Sequence, residues 1–166
     1  MSFVGSSMHS RAAELVKLLD MRPHPEGGYY AEVFRSAHRV QVLDRNVERA
    51  ALTAIYFLLT EGEFSRWHRV DSDEIWHYHE GDAIELLLFD DQGLRRMPLG
   101  AVEHATRSTI VVPAGTWQAA RSTGAYTLVG CAVGPGFEFA DLSLAVDRPD
   151  IAMRIADAGP DLARFI

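Results

Sequence analysis

The sequence predicts an all-β domain, a sandwich or barrel of short strands, and three observations predict it. Helical periodicity is confined to the two ends of the chain. From Pro23 to about Val146 the pattern is one of short runs rich in β-branched, aromatic and aliphatic residues. Those runs are separated by Gly, Pro, Asp and Ser clusters at the close spacing of a sandwich or barrel.

The elements follow in order. Ala12, Leu15, Val16 and Leu19 form one apolar stripe of a helix opened by Ser10, and the pattern stops before Pro23. Strands are expected at Tyr29–Arg35, Leu52–Leu59, Phe64–Val70, Glu74–Tyr78 and Ile84–Phe89, then at Thr109–Val112, Trp117–Arg121, Tyr126–Val133 and Glu138–Ala145. Glu61-Gly62, Glu80-Gly81-Asp82, Asp90-Asp91-Gln92-Gly93 and Ser122-Thr123-Gly124 supply turns between them. The tail carries a short helical pattern over Ile151–Ala156, broken by Gly159-Pro160, and an apolar end in Leu162, Phe165 and Ile166.

Composition bounds the function. The chain has 166 residues, with 16 Lys and Arg against 23 Asp and Glu, a formal charge of −7. A domain of this size buries roughly 70% of its unfolded surface, enough for one core without disulfides or a structural metal. The expected organisation is a loose leader over 1–9 and a single domain over 10–166. An acidic chain with no basic stripe is a poor match to a polyanionic backbone, so no nucleic-acid partner is expected. The longest mostly apolar run, Ala50–Leu59, is about half of the ~20 residues a spanning helix needs, so no membrane span is expected. The start lacks the basic and apolar regions of a secretion signal, and the single cysteine, Cys131, reads as a small buried strand residue; a cytoplasmic location is expected.

The chemistry is concentrated in Arg66–Gly81, which holds His68, His77 and His79. Two readings compete. His77-x-His79 forms a pair on one strand face, spaced as metal ligands can be. Alternatively, His68 on one strand and Glu74 on the next face a common interior across a turn at Asp71–Asp73. Glu74 and His77 have opposite parity along one strand, so without a bulge the readings exclude each other.

The same stretch resembles the first motif of the cupin superfamily, G-x5-H-x-H-x3,4-E-x6-G. With His68 as the first histidine, Glu74 falls on the glutamate, Gly81 on the closing glycine and Val70 on the second histidine position. The second motif, G-x5-P-x-G-x2-H-x3-N, is matched by Pro113-Ala114-Gly115-Thr116-Trp117-Gln118, with Gln118 at the histidine, Arg107 at the leading glycine and Ser122 at the asparagine. Pro25-Glu26-Gly27-Gly28-Tyr29-Tyr30, the run Trp76 to Leu88 and Gly134-Pro135-Gly136-Phe137-Glu138-Phe139 are similar to a small cupin subfamily catalogued as predicted sugar epimerases. The resemblance covers roughly residues 10 to 146. It implies a double-stranded β-helix, the jelly roll of two antiparallel sheets around a ligand cavity, with the short N-terminal helix and C-terminal helical tail added, and a homodimer.

For function, the resemblance implies an isomerase or epimerase acting on a carbohydrate-like substrate, including nucleotide-sugars. In cupin-fold epimerases a histidine base removes a proton next to a ketone, and a tyrosine returns one on the opposite face without metal. His68 is then the base, Glu74 or Asp73 its orienting partner, and Tyr78 or Tyr56 the acid. Parity places Glu74, Trp76 and Tyr78 on the interior together. Trp76 and Trp117 are candidate stacking surfaces, and Gln118, Glu26 and Tyr30 are candidate substrate contacts. A diphosphate would call on Arg35, Arg66 or Arg121, of which Arg66 shares the parity of His68. No cofactor is required by this reading. Two alternatives stand beside it: a non-catalytic module binding a small molecule, and an enzyme holding a divalent metal on His68, Glu74 and Gln118, a set with only two strong ligands. His77 and His79 are expected to face away from the cavity, and His9, His24, His38 and His104 to be solvated.

Overall fold

A computed structural model describes residues 8–166; the leader expected over 1–9 lies outside the described residues except for Met8 and His9. Helix α1 (Ser10–Leu18) is capped by the His9 ring, whose Nδ1 accepts from the Arg11 amide, and it buries Ala12 and Leu15. It covers the outer face of a six-stranded antiparallel sheet, where Leu58 and Leu128 meet it. That sheet runs in the order β1 (Arg22–Pro23), β2 (Tyr29–Arg35), β5 (Thr53–Thr60), β12 (Tyr126–Gly134), β7 (Asp73–Gly81) and β10 (Thr109–Val112).

The facing sheet has five strands. Its order is β13 (Leu142–Leu144), β6 (Phe64–Val70), β11 (Trp117–Ser122), β8 (Ile84–Asp90) and β9 (Gly93–Leu99). A separate hairpin pairs β3 (Arg39–Val42) with β4 (Val47–Ala50). All these strand pairs are antiparallel, and non-sequential neighbours such as β12 and β7 make the jelly roll. Phe57, Leu59, Trp76, Leu86, Leu88 and Val129 interdigitate between the sheets. Helix α2 (Pro149–Ala158) opens with Pro149 in its first turn and packs Ile151 and Ile155 on the outer face of the five-stranded sheet against Trp67, Leu87 and Trp117. Full burial of each such side chain is worth roughly 1.5–3 kcal/mol relative to exposure.

Besides the two-residue β1, which the sequence does not announce, three features differ from the expectation. Strand β9 was masked by its composition: Arg95, Arg96, Met97 and Pro98 are exposed, as suits a sheet edge where a proline is tolerated. The β3–β4 hairpin is short and largely solvated, so it lacks the alternation of a half-buried strand. The expected strand over Glu138–Ala145 is instead a 3-10 turn at Phe139–Asp141, the three-residue β13 and a second 3-10 turn at Ala145–Asp147. Asp141 bends the chain there: its carboxylate is bound by Arg49 through Nε and Nη2 at 2.7 Å each and by Arg45 at 2.8 Å.

A bulge in β6 sets the site. Gln118 pairs with His68 and Ala120 with Ser65, so Arg66 and Trp67 together oppose Ala119. The extra residue lets Ser65 and His68 both turn inward, sends Trp67 outward to α2, and leaves Arg66 exposed. Strict alternation would have put Arg66 on the same face as His68, and the bulge is why it is not there.

Candidate functional site

The bulge has two further consequences. The Arg66 N–H donates to the Glu26 carbonyl at 2.8 Å, which docks the segment before β2 onto β6. Gly27 permits this approach: its φ is +114° and a Cβ there would lie 2.0 Å from the Phe64 carbonyl oxygen. The Arg66 carbonyl also receives His68 Nδ1 at 2.7 Å. A carbonyl can only accept, so the His68 proton is on Nδ1.

His68 Nε2 then faces Glu26 Oε2 at 3.1 Å, while Glu26 Oε1 accepts from the Ser65 hydroxyl at 2.9 Å. His68 is 1% exposed and Glu26 7%. Desolvation pushes the Glu26 carboxyl up to about 8, against the opposing pull of the Ser65 hydrogen bond. Desolvation also lowers His68, opposed by the Glu74 charge and the Arg66 carbonyl. Both shifts point to a neutral pair near pH 7, with the Glu26 carboxylic acid donating to the bare Nε2 of a neutral imidazole.

A second imidazole completes the cluster. The His24 Nδ1 accepts from the Glu26 amide at 3.3 Å and lies 3.5 Å from Glu26 Oε2. Its ring is edge-on to Tyr30 at 4.7 Å and close to Phe57, Phe137 and Phe139. Burial, then the neighbouring His68, lowers His24 to about 4. On the far side, Glu74 is raised chiefly by burial and next by Glu26 among the raising influences, while His68, Gln118 and Cys131 pull it down. These groups line a cavity of about 290 Å³ between the sheets, with Val70, Val133 and Cys131 as further walls and Arg22, Glu32, Arg35 and Glu138 at the rim.

The residues expected to act with His68 are not all there. Glu26, Tyr30, Arg35, His68 and Glu74 line the cavity. Asp73 is exposed and accepts from the Ala114 amide instead of orienting His68. Tyr56 sits on the outer face of β5, opposite in parity to Ile55 and Phe57, and packs with the α1 cluster and the His79 ring. Tyr78 does pack against the same inner core as Trp76, but four residues beyond Glu74, about 13 Å along the strand, where its hydroxyl donates to the Gly81 carbonyl. Trp76 is buried in the core, and Trp117 packs in the outer α2 cluster, away from the cavity. Arg121 is tied to Glu85 at 2.7 Å. His77 bonds Thr109 and His79 is exposed, both on the outer side of β7. His24, expected in solvent, is the residue the sequence reading missed; its signal was its place two residues before Glu26 in the docked segment.

The metal set fails on the direction of one amide. The Trp76 indole N–H, a donor only, bonds Gln118 Oε1 at 3.0 Å, so the Gln118 amide N–H₂ must face Glu74, which it reaches at 2.6 Å. Gln118 therefore gives its oxygen to the Trp76 indole and presents its nitrogen, which cannot ligate a metal, to Glu74. Val70 occupies the second histidine position and supplies no donor. Among the described residues no three His, Cys, Asp or Glu are grouped to hold a metal ion. The expected set of His68, Glu74 and Gln118 therefore offers two strong ligands and does not fit a resident transition metal.

Fold and site together define a jelly-roll, small-molecule protein whose cavity is lined by histidines and carboxyl groups. The family described as Cupin superfamily (DUF985) matches residues 13–145, and the chain belongs to it. A hypothetical protein from Leishmania major is 34% identical over 93% of this chain and 96% of its own, with a TM-score of 0.79. A protein from Shewanella oneidensis is 30% identical over 93% of this chain and 95% of its own, with a TM-score of 0.81. An oxalate decarboxylase from Lactobacillus farciminis, solved as a formate complex, is 16% identical over 76% of this chain and 34% of its own, with a TM-score of 0.56; it shares the fold. No curated protein sequence matches the chain. Among the described residues no helix is long and apolar enough to cross a membrane.

Proposed function

We propose that the cavity is the active site of an isomerase or epimerase that moves a proton at a carbon beside a carbonyl of a carbohydrate-like substrate. The observation that carries this reading is the buried Glu26–His68 pair, with His68 Nε2 3.1 Å from Glu26 Oε2 inside the cavity. Substrate entering the cavity displaces the Glu26 hydrogen bond, and His68 Nε2 takes the carbon-bound proton. The C–H electrons pass to the carbonyl oxygen, which takes the Glu26 proton. The imidazolium is stabilised by the Arg66 carbonyl on Nδ1 and by the new Glu26 carboxylate.

Return of a proton to the opposite face needs a donor across the cavity. Tyr30 on β2 is that donor in this reading, because β2 and β6 belong to the two facing sheets and both Tyr30 and His68 line the space between them. It replaces Tyr56 and Tyr78 in that role. As carbon takes the Tyr30 proton, the enol oxygen returns its own to Glu26. Exchange with solvent then deprotonates the His68 imidazolium and reprotonates the Tyr30 phenolate. Glu74, held by Gln118, adds a negative potential that favours the charged imidazole.

The test is solvent exchange. Incubation in deuterium oxide with a panel of aldoses, ketoses and sugar acids should place deuterium at one sugar carbon, and His68→Ala should abolish it while the circular dichroism spectrum is retained. A ligand that binds but never exchanges across the panel would make the cavity a binding module instead. Near-stoichiometric iron, manganese, nickel or zinc in the purified protein, lost on His68→Ala, would contradict the metal-free reading.

A further inference from the structure

The rim of the cavity carries two arginines in opposite situations. Arg35 is saturated: Nε and Nη2 grip both oxygens of Glu32 at 3.1 and 2.8 Å, Nη1 holds Glu138 at 2.8 Å, and Nη2 also reaches the Phe137 carbonyl at 3.2 Å. It fastens the segment after β12 to β2 and has no free edge for a ligand. Arg22 is its contrast. It pairs with Tyr30 across β1 and β2, and its guanidinium carbon stands 5.0 Å from the centre of the Tyr30 ring. Among the described residues no carboxylate lies within ion-pair distance of it, and no hydrogen bond occupies its fork.

We propose that Arg22 is an anion-docking residue, and that the ligand is a single-ring or open-chain sugar derivative bearing one carboxylate or phosphate monoester. A free guanidinium offers two parallel donors, the geometry that fits one such group. Three further observations set the class. The cavity, at about 290 Å³, is at the small end of the roughly 300–1,000 Å³ of ligand pockets, so it suits one ring better than a nucleotide-sugar. A diphosphate would need more than one free arginine, and Arg35 is saturated while Arg66 and Arg121 lie elsewhere. Tyr30 lies beneath Arg22 and His24 against Tyr30, so an anion held on Arg22 leads its carbon skeleton over aromatic faces toward Glu26 and His68. The carboxylates at the mouth, Glu32 and Glu138, are both paired to Arg35, and their repulsion of an anion is reduced accordingly.

The inference rests on the cavity being the substrate site, as in the reading above, and calorimetry tests it without needing turnover. The probes are glucose, glucuronate, glucose 6-phosphate and uridine diphosphate glucose. At least one of the two single-anion probes should bind about tenfold or more tightly than both glucose and the nucleotide-sugar. Which of glucuronate and glucose 6-phosphate wins identifies the anion. Arg22→Gln should erase the preference, Arg22→Lys should restore part of it, and added salt should weaken it because the rim is solvated. Arg22 is exposed, so these variants should fold. Equal binding of glucose, tightest binding of the nucleotide-sugar, unchanged binding in Arg22→Gln, or no binding of either acid at millimolar concentration overturns the inference. Binding through Arg22 with no deuterium exchange would sink the isomerase reading alone; exchange on neutral sugars that ignores Arg22 would sink the docking inference alone.

Discussion

Two buried carboxyl groups in this protein live by opposite rules. Asp141, 4% exposed, sits between Arg45 and Arg49, and hydrogen bonds from Arg49, reinforced by the charges of both arginines, hold it below the usual carboxylate range. Glu26 is about as buried but has no cation beside it; its partners are a hydroxyl and two imidazoles, and burial raises it to about 8. One carboxylate is compensated and acts as a strut fixing the β3–β4 hairpin to the chain after β12. The other is left uncompensated, which costs stability when it ionises and places a titrating proton in a cavity.

Substitutions at the two carboxyl groups should have effects of different kind and size. The largest expected effect is on chemistry: Glu26→Gln keeps the shape but removes the carboxylic proton, and deuterium exchange should fall by about 10²–10⁴. An unchanged rate would strip Glu26 of its role. Next, Asp141→Asn leaves two arginines short of their counter-charge, and urea unfolding should show a loss of about 3 kcal/mol; a neutral result would mean the strut is ornamental. Asp141 should also contribute stability that is present above its unfolded value of 3.8 and lost as pH falls below it.

Glu26 has the opposite sign. Its folded value is raised from 4.5 to about 8, so its carboxyl favours the fold most at low pH, and that contribution drains away as pH rises between those values. His24, lowered from 6.5 to about 4, opposes it by favouring the fold above 6.5 and losing that contribution as pH falls. Melting temperatures across pH should therefore separate the two: Glu26→Gln should lessen the loss from pH 5 to 8, and His24→Gln the loss from pH 6.5 to 4. The smallest effect belongs to Trp76→Phe, which frees Gln118 Oε1 and should cost about 1 kcal/mol beyond any change in packing.

The strut and the cavity were also unequally legible. Alternation and turn residues located most strands within a residue or two, because one buried face imposes a period of two. The motif match brought out His68 and Glu74, and the Pro25–Tyr30 segment brought out Glu26 and Tyr30, all of which line one cavity. What the pattern could not carry was the bulge at Arg66 and Trp67. One extra residue reverses parity, which expelled Arg66, and it supplies the backbone groups that dock Glu26 and fix the His68 tautomer. The true partner of His68 comes from 42 positions away, bridged by Gly27 rather than by any periodic signal. Asp141, in a segment that reads as a strand, was hidden for the same reason: its arginines arrive from the β4 region, far along the chain.

Whether Glu26 keeps its proton beside a neutral His68 can be read by nuclear magnetic resonance of protein labelled on imidazole nitrogen and carboxyl carbon. At pH 6.5 the His68 ring should be protonated on Nδ1 alone and the Glu26 carboxyl carbon should show the shift of an acid, moving to that of a carboxylate near pH 8. A doubly protonated His68 beside an ionised Glu26 at pH 6.5 would contradict the neutral pair.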